Sequence, residues 1–258
     1  MARDSGWALS EGSLFFEGAG AVQQTLRKIT KRLRELGIPY AVVGGMALFS
    51  HGFRRFTVDV DLLVTPAGLK EIHQQLEGLG YLPPFVGSKN LRDTETGVKI
   101  EFLVTGGYPG DGKPKPVAFP DPATVADEKD GMSVVNLPTL MELKLASGMT
   151  SSDRMKDLGD AQELIKSLYL SADFADRLNP FVRDTYRELW TKARPAEKRY
   201  VRVCSKKLLT SEALQAMLVD GITPDTGRET VDSVYLVTMN PDAANKHGMH
   251  DEAEFLDQ

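Results

Sequence analysis

Apolar positions near the start of the chain follow two alternating periods. Val22, Leu26, Ile29, Leu33 and Leu36 recur at steps of four, three, four and three, which is one apolar stripe of an amphipathic helix. Gly37 stops that helix. Tyr40 to Val43 reads as a short apolar strand, Gly44-Gly45 turns the chain, and a short helix is expected from Met46 to about Ser50, followed by a loop from His51 to Thr57. Val58 to Val64 alternates and then runs apolar, which predicts a strand. Thr65-Pro66 opens the next helix, because Pro suits a first helical turn. Leu69, Ile72, Leu76 and Leu79 carry that helix to Gly80. Tyr81 to Val86 reads as an edge strand, since Pro83 and Pro84 cannot donate to a ladder. Val98, Ile100, Phe102 and Val104 alternate with Lys99, Glu101, Leu103 and Thr105, the pattern of a half-buried strand.

Four glycines and five prolines between Gly106 and Pro122 predict a long loop, of the kind that covers functional sites. Met132 to Val135 gives a last strand. Helices follow from Pro138 to about Ser147 and from Asp153 to Tyr169, the latter with Leu158, Ala161, Ile165 and Leu168 inward, and more helix runs through Trp190. Strands thus give way to helices near residue 138, so the expected fold class is α+β: a mixed sheet flanked by helices, then a helical region, then a small C-terminal extension. The expected divisions are 1–137, 138–195 and 196–258.

Composition adds limits. Of 258 residues, 41% are hydrophobic and 26% charged, values of a globular chain with a real core. Cys204 is the single cysteine, which excludes a disulfide framework and a cysteine-rich zinc site. His51 and His73 have no partners at ligand spacing and read as structural. No run of about 18 apolar residues and no basic-then-apolar leader are present, so no membrane contact and a cytoplasmic location are expected. The net charge of −5 is unevenly spread. Phe181 to Lys207 holds nine basic residues against three acids, while Ser211 to Gln258 holds ten acids against Arg228 and Lys246. The basic segment 183–207 is a candidate RNA contact, with Tyr186, Trp190 and Tyr200 for stacking. The acidic segment contains a strand candidate, Val234 to Thr238, that folds back on the basic run or engages a partner.

The candidate chemistry sits in the first half. Asp59 and Asp61 lie two apart on a predicted strand, so both carboxylates leave one face, where two like charges call for a cation. Hard oxygen ligands favour Mg²⁺ or Mn²⁺, ions that also bind triphosphate oxygens. Glu101 joins them if its strand is the neighbour of theirs. Tyr40 to Met46 reads as strand, Gly44-Gly45 turn, then helix, a geometry that lets backbone N–H groups approach phosphate. Arg54, Arg55 and Thr57 precede the acidic strand, where a guanidinium can neutralise phosphate charge.

Gly44, Gly45, Asp59, Asp61 and Glu101 together resemble the signature of the polymerase-β-like nucleotidyltransferase superfamily. Within it, Arg55-x-Thr57-x-Asp59-x-Asp61-Leu62-Leu63-Val64, then Lys144, then Arg154-x-Lys156-Asp157-x-x-Asp160, is similar to the AbiEii type found among bacterial toxin-antitoxin proteins, over about residues 20 to 170. The resemblance implies a catalytic nucleotidyltransferase unit at 1–137. It also implies transfer of a nucleoside monophosphate from an NTP, such as ATP, to a hydroxyl. Asp59 and Asp61 would hold metal, Glu101 would activate the acceptor, and Gly44, Gly45, Arg55, Thr57 and Lys144 would contact the nucleotide. It leaves Arg54, Arg154, Asp157 and Asp160 in supporting places. The implied acceptor is tRNA or another RNA, a small molecule such as an aminoglycoside being the alternative, and the implied partner is a cognate antitoxin protein. A non-catalytic binder of nucleotide or partner on the same fold is the competing class.

Overall fold

The computed structural model describes residues 20–193 and, beyond them, the backbone of three strands. The chain divides into two compact units, Met1–Ala193 and Arg194–Gln258.

In the first unit the amphipathic stripe forms helix α1, Ala21–Glu35, with Val22, Leu26, Ile29 and Leu33 buried. The chain leaves it through Gly37, whose φ of 67° is left-handed, while Ile38 N donates to Leu33 O at 2.9 Å. Strand β1 is Tyr40–Val43, helix α2 Gly44–Ser50 and strand β2 Asp59–Val64. Helix α3, Pro66–Leu76, is capped by Thr65, whose Oγ1 accepts from Gly68 N at 3.0 Å. It ends four residues before the expected Gly80: Leu79 is 69% exposed, and Gly78 and Gly80 take φ of 83° and 94°. Strand β3 is only Tyr81–Leu82, because Pro83 and Pro84 end the ladder, and Phe85 and Val86 are exposed.

Strands β4 (Leu91–Asp93), β5 (Lys99–Val104), β6 (Ala126–Lys129) and β7 (Met132–Val135) complete a seven-stranded sheet of order β3-β4-β5-β2-β1-β7-β6, and the single-turn helix α4, Pro122–Val125, leads into β6. The sheet is mixed: β2 pairs β5 and β1 pairs β7 in parallel, and the other pairs are antiparallel. Neither β4 nor β6 was expected from the sequence. The first is three residues long, and the second, Ala-Asp-Glu-Lys, carries no apolar period.

Helices α5 (Leu137–Thr150), α6 (Met155–Ser167) and α7 (Pro180–Ala193) follow. Asn136 caps α5, its Oδ1 accepting from Thr139 N at 3.0 Å. Gly148 lets α5 and α6 cross closely, since a Cβ there would lie 2.5 Å from Leu158 Cγ. Leu140, Leu145, Ala161, Leu164 and Val182 of these helices belong to the same buried cluster as the sheet residues Val42, Leu62 and Ile100. The fold of this unit is therefore α+β, a mixed sheet with flanking helices. Among the described residues no helix is long and apolar enough to cross a membrane.

The expectation for the basic segment changes at α7. Tyr186 is fully buried, and its hydroxyl donates to Ser171 O at 2.9 Å, so it offers no stacking surface. Trp190 is partly buried and donates from Nε1 to Leu170 O at 2.8 Å. Arg187 pairs with Asp176 and Lys192 with Glu188, which neutralises charge on this helix. Tyr200 and the side chains of 194–207 lie outside the described residues.

In the second unit β8 (Arg199–Cys204) lies between β9 (Val234–Met239) and β10 (Ala253–Phe255), all antiparallel. The strand from the acidic segment thus pairs with the basic run, in register from Arg199↔Met239 to Cys204↔Val234.

Candidate active site

The parallel pairing of β2 and β5 sets Asp59 beside Lys99 and Asp61 beside Glu101. Register partners and residues two apart share a sheet face, so these four side chains form one block of three carboxylates and one ammonium. Oxygens of Asp59, Asp61 and Glu101 all lie within 4.8 Å of one another. Asp59 Oδ1 accepts from Thr57 Oγ1 at 2.8 Å, and Glu101 forms an ion pair with Lys99. Burial, then the charges of Asp59 and Glu101, push the Asp61 carboxyl up to about 7, against the opposing charges of Lys144 and Arg154. Three converging carboxylates, one raised toward neutrality by burial and then by its companions, are what a hard divalent cation would relieve. The residues therefore fit a hard divalent cation.

A pH dependence follows. Asp61 titrates higher in the fold than its ordinary 3.8, so its contribution to stability is fully present below that value and is lost as pH rises through about 7. Thermal melts in a chelator should lose stability across this window, and added Mg²⁺ should raise the melting temperature at pH about 8 far more than at pH about 4. Equal Mg²⁺ shifts at both pH values would contradict the assignment.

Above the block sits the glycine turn. Gly44 has φ of 61°, and a Cβ on it would overlap the Asp61 carboxylate. A Cβ on Gly45 would lie 2.8 Å from Thr57 Cβ. Both glycines are required by close approach of the turn to β2 and to the segment before it. Gly44→Ala should cost about 1–2 kcal/mol from backbone strain alone and should also displace Asp61. A chemical melt and a metal titration check it, and unchanged metal affinity would refute the displacement.

These residues line a cavity of about 400 Å³ together with Arg55, Leu140, Leu143, Lys144, Ser147, Arg154, Lys156 and Asp157. The Gly106–Pro122 segment forms another wall through Tyr108, Pro109, Gly110 and Phe119. It is tied to itself and to α5 by hydrogen bonds. Gly106 N donates to Phe119 O and Phe119 N to Gly107 O, at 2.9 and 2.8 Å. Lys115, its side chain 6% exposed, binds Pro109 O, Asp111 and Thr150 Oγ1 of α5.

The two arginines before β2 separate. Arg55 lines the cavity, with Nε 3.0 Å from Asp160 Oδ1, whereas the Arg54 guanidinium lies over the Phe49 ring and is not among the lining residues. The Lys144 ammonium is held between Asp157 Oδ1 at 2.6 Å and Asp160 Oδ2 at 2.8 Å, and Ser147 Oγ donates to Asp157 Oδ2 at 2.7 Å. A phosphate reaching Lys144 in this arrangement competes with two buried carboxylates. Burial alone would raise the Asp157 carboxyl, but the Lys144 charge and the hydrogen bonds from Lys144 and Ser147 outweigh it and hold the group below its usual range. Because Asp157 and Asp160 turn inward, helix pairs with Arg154 and Lys156 do not form. Those two cations are exposed at the cavity, without ion pairs among the described residues. Asp160 itself sits behind the lining.

Sequence reasoning overlooked Lys99, Ser147, Lys115 and the wall residues Tyr108 and Phe119. Lys99 was readable, since the alternation that selects Glu101 puts the residue two before it on the same face. Ser147 was also readable, one turn after Lys144. Lys115 carries no local signal, because its partners come from its own loop and a distant helix.

No family model matches the sequence, and no curated protein matches it. Solved structures with a similar backbone include ANT(2")-Ia in complex with adenylyl-2"-tobramycin, at 14% identity and TM-score 0.43, covering 64% of this chain and 96% of that one. A candidate nucleotidyltransferase from Thermotoga maritima has 19% identity and TM-score 0.36, covering 57% of this chain and 91% of that one. Another, from H. pylori, has 16% identity and TM-score 0.39, covering 66% and 91%.

Proposed function

We propose that this chain is a metal-dependent nucleotidyltransferase that moves a nucleoside monophosphate from an NTP to an acceptor hydroxyl and releases pyrophosphate. The observation that carries the reading is the block on β2 and β5: three carboxylates with oxygens within 4.8 Å, roofed by a glycine turn that touches one of them. A binding module gains nothing from burying and crowding three carboxylates, which raises Asp61 toward neutrality.

Asp59, Asp61 and Glu101 would hold Mg²⁺ or Mn²⁺, which when bound supplies charge for the triphosphate and polarises the acceptor hydroxyl. The rest of the work belongs to the chain. Thr57 fixes the Asp59 carboxylate by its hydrogen bond. The Gly44-Gly45 turn admits phosphate oxygens close to the backbone. Arg154 and Lys156, exposed at the cavity and without ion pairs among the described residues, neutralise the triphosphate, together with Arg55 of the same lining. Glu101 accepts the proton of the acceptor hydroxyl as its oxygen bonds to the α-phosphorus and the bond to pyrophosphate breaks. Tyr108 and Phe119 offer aromatic surface for a base.

The acceptor reading taken first is an RNA hydroxyl, as the toxin-like resemblance implies, with an inhibitory antitoxin as partner. The test incubates the protein with Mg²⁺, each α-labelled NTP in turn, total RNA, and separately an aminoglycoside panel. Label on RNA supports the toxin-like reading. Label on an aminoglycoside alone replaces RNA by a small molecule, and NTP binding with no labelled product overturns the enzyme reading.

A further inference from the structure

Within the four-residue block each carboxylate has a different companion. Asp59 is held by the Thr57 hydroxyl, Asp61 stands beside Glu101 in the register, and Glu101 is paired with an ammonium, that of Lys99. Lys99 stands directly beside Asp59 in the β2–β5 register and two residues before Glu101 on the same strand. Its side chain is 39% exposed and that of Glu101 30%, so the pair lies at the rim of the block with water on one side and the carboxylates on the other. With all three carboxylates ionised, the block and its one ammonium carry a charge of −2, which one divalent cation balances.

We propose that Lys99 is a positioning residue that occupies Glu101 in the metal-free protein and must be displaced from it when a divalent cation engages all three carboxylates. The inference rests on the metal-site reading given above. A dication and an ammonium cannot share one carboxylate oxygen at contact distance without mutual repulsion, so the two compete. A cation first meets Asp59 and Asp61, and Glu101 joins only as Lys99 swings toward water, a movement its exposure permits. Lys99 therefore sets the cation concentration at which the third carboxylate is recruited.

The test is calorimetric titration of Mn²⁺ into the full chain without nucleotide, comparing wild type, Lys99→Met, Lys99→Gln and the charge-preserving Lys99→Arg. Removing the competing ammonium should tighten Mn²⁺ binding about tenfold in both neutral variants and leave Lys99→Arg near wild type. A purely structural role for Lys99 moves none of these affinities. Wild-type binding with unchanged or weaker affinity in both neutral variants overturns the inference and leaves the metal site standing. A wild-type protein that binds no Mn²⁺ overturns the metal site and the inference together.

Discussion

Asp61→Asn should abolish nucleotidyl transfer, by a factor of about 10³ or more, while making the metal-free protein more stable at alkaline pH. The two effects share one cause. Asp61 is crowded by Asp59 and Glu101 on the cavity floor, and burial with those charges pushes its carboxyl up to about 7. At pH about 8 the fold must carry that charge, at a cost on the order of 4 kcal/mol without metal. An amide of the same shape removes both the cost and the ligand. The stability gain should vanish as pH falls below the ordinary 3.8, where the carboxyl is protonated in folded and unfolded chains alike, and Mg²⁺ should no longer stabilise the variant. Chelated melts at both pH values, with a transfer assay alongside, check all three. A variant that melts below wild type at high pH would show that Asp61 is held by attractive partners rather than crowded.

Lys144→Met should destabilise the fold by roughly 3–5 kcal/mol. The Lys144 ammonium sits between Asp157 and Asp160, with side chains 10%, 5% and 4% exposed. Removing it leaves, among the described residues, Asp157 with the Ser147 hydroxyl and Asp160 with the Arg55 guanidinium. Since Asp157 titrates below its usual range, its contribution is present above the ordinary carboxylate value and fades as acid protonates it. The penalty of Lys144→Met should accordingly shrink toward low pH. Adding Asp157→Asn and Asp160→Asn should recover most of the loss. Denaturant melts of the single and triple variants decide the matter, and a single variant as stable as wild type would refute the buried network.

Where local pattern decides structure, the sequence was legible. The stripe from Val22 to Leu33, the β2 strand with Asp59 and Asp61, and the alternating strand with Glu101 need only periodicity and burial on one face. The candidate residues of the glycine turn and the two acids of β2 were legible for the same reason, since each is a local feature. What no local pattern carries is pairing. The β2–β5 neighbourhood that brings Glu101 to Asp61 is a contact across forty residues. The inward turn of Asp157 and Asp160 is decided by a buried lysine on another helix rather than by nearby Arg154 and Lys156. Leu79 fits the apolar period of α3 and is nonetheless exposed, because Glu77, with ψ of 127°, takes the backbone out of the helical region first. Tyr186, which reads as an exposed aromatic in a basic run, is core because α7 packs it over Phe174, ring centroids 5.6 Å apart.

The most direct measurement of the central claim uses one acceptor pool and one NTP labelled at either the α- or the γ-phosphate, with wild type and Asp59→Ala. Label should pass to the acceptor from the α position only, and not at all with Asp59→Ala. Passage of the γ-label, or α-label transfer that survives Asp59→Ala, would contradict the account.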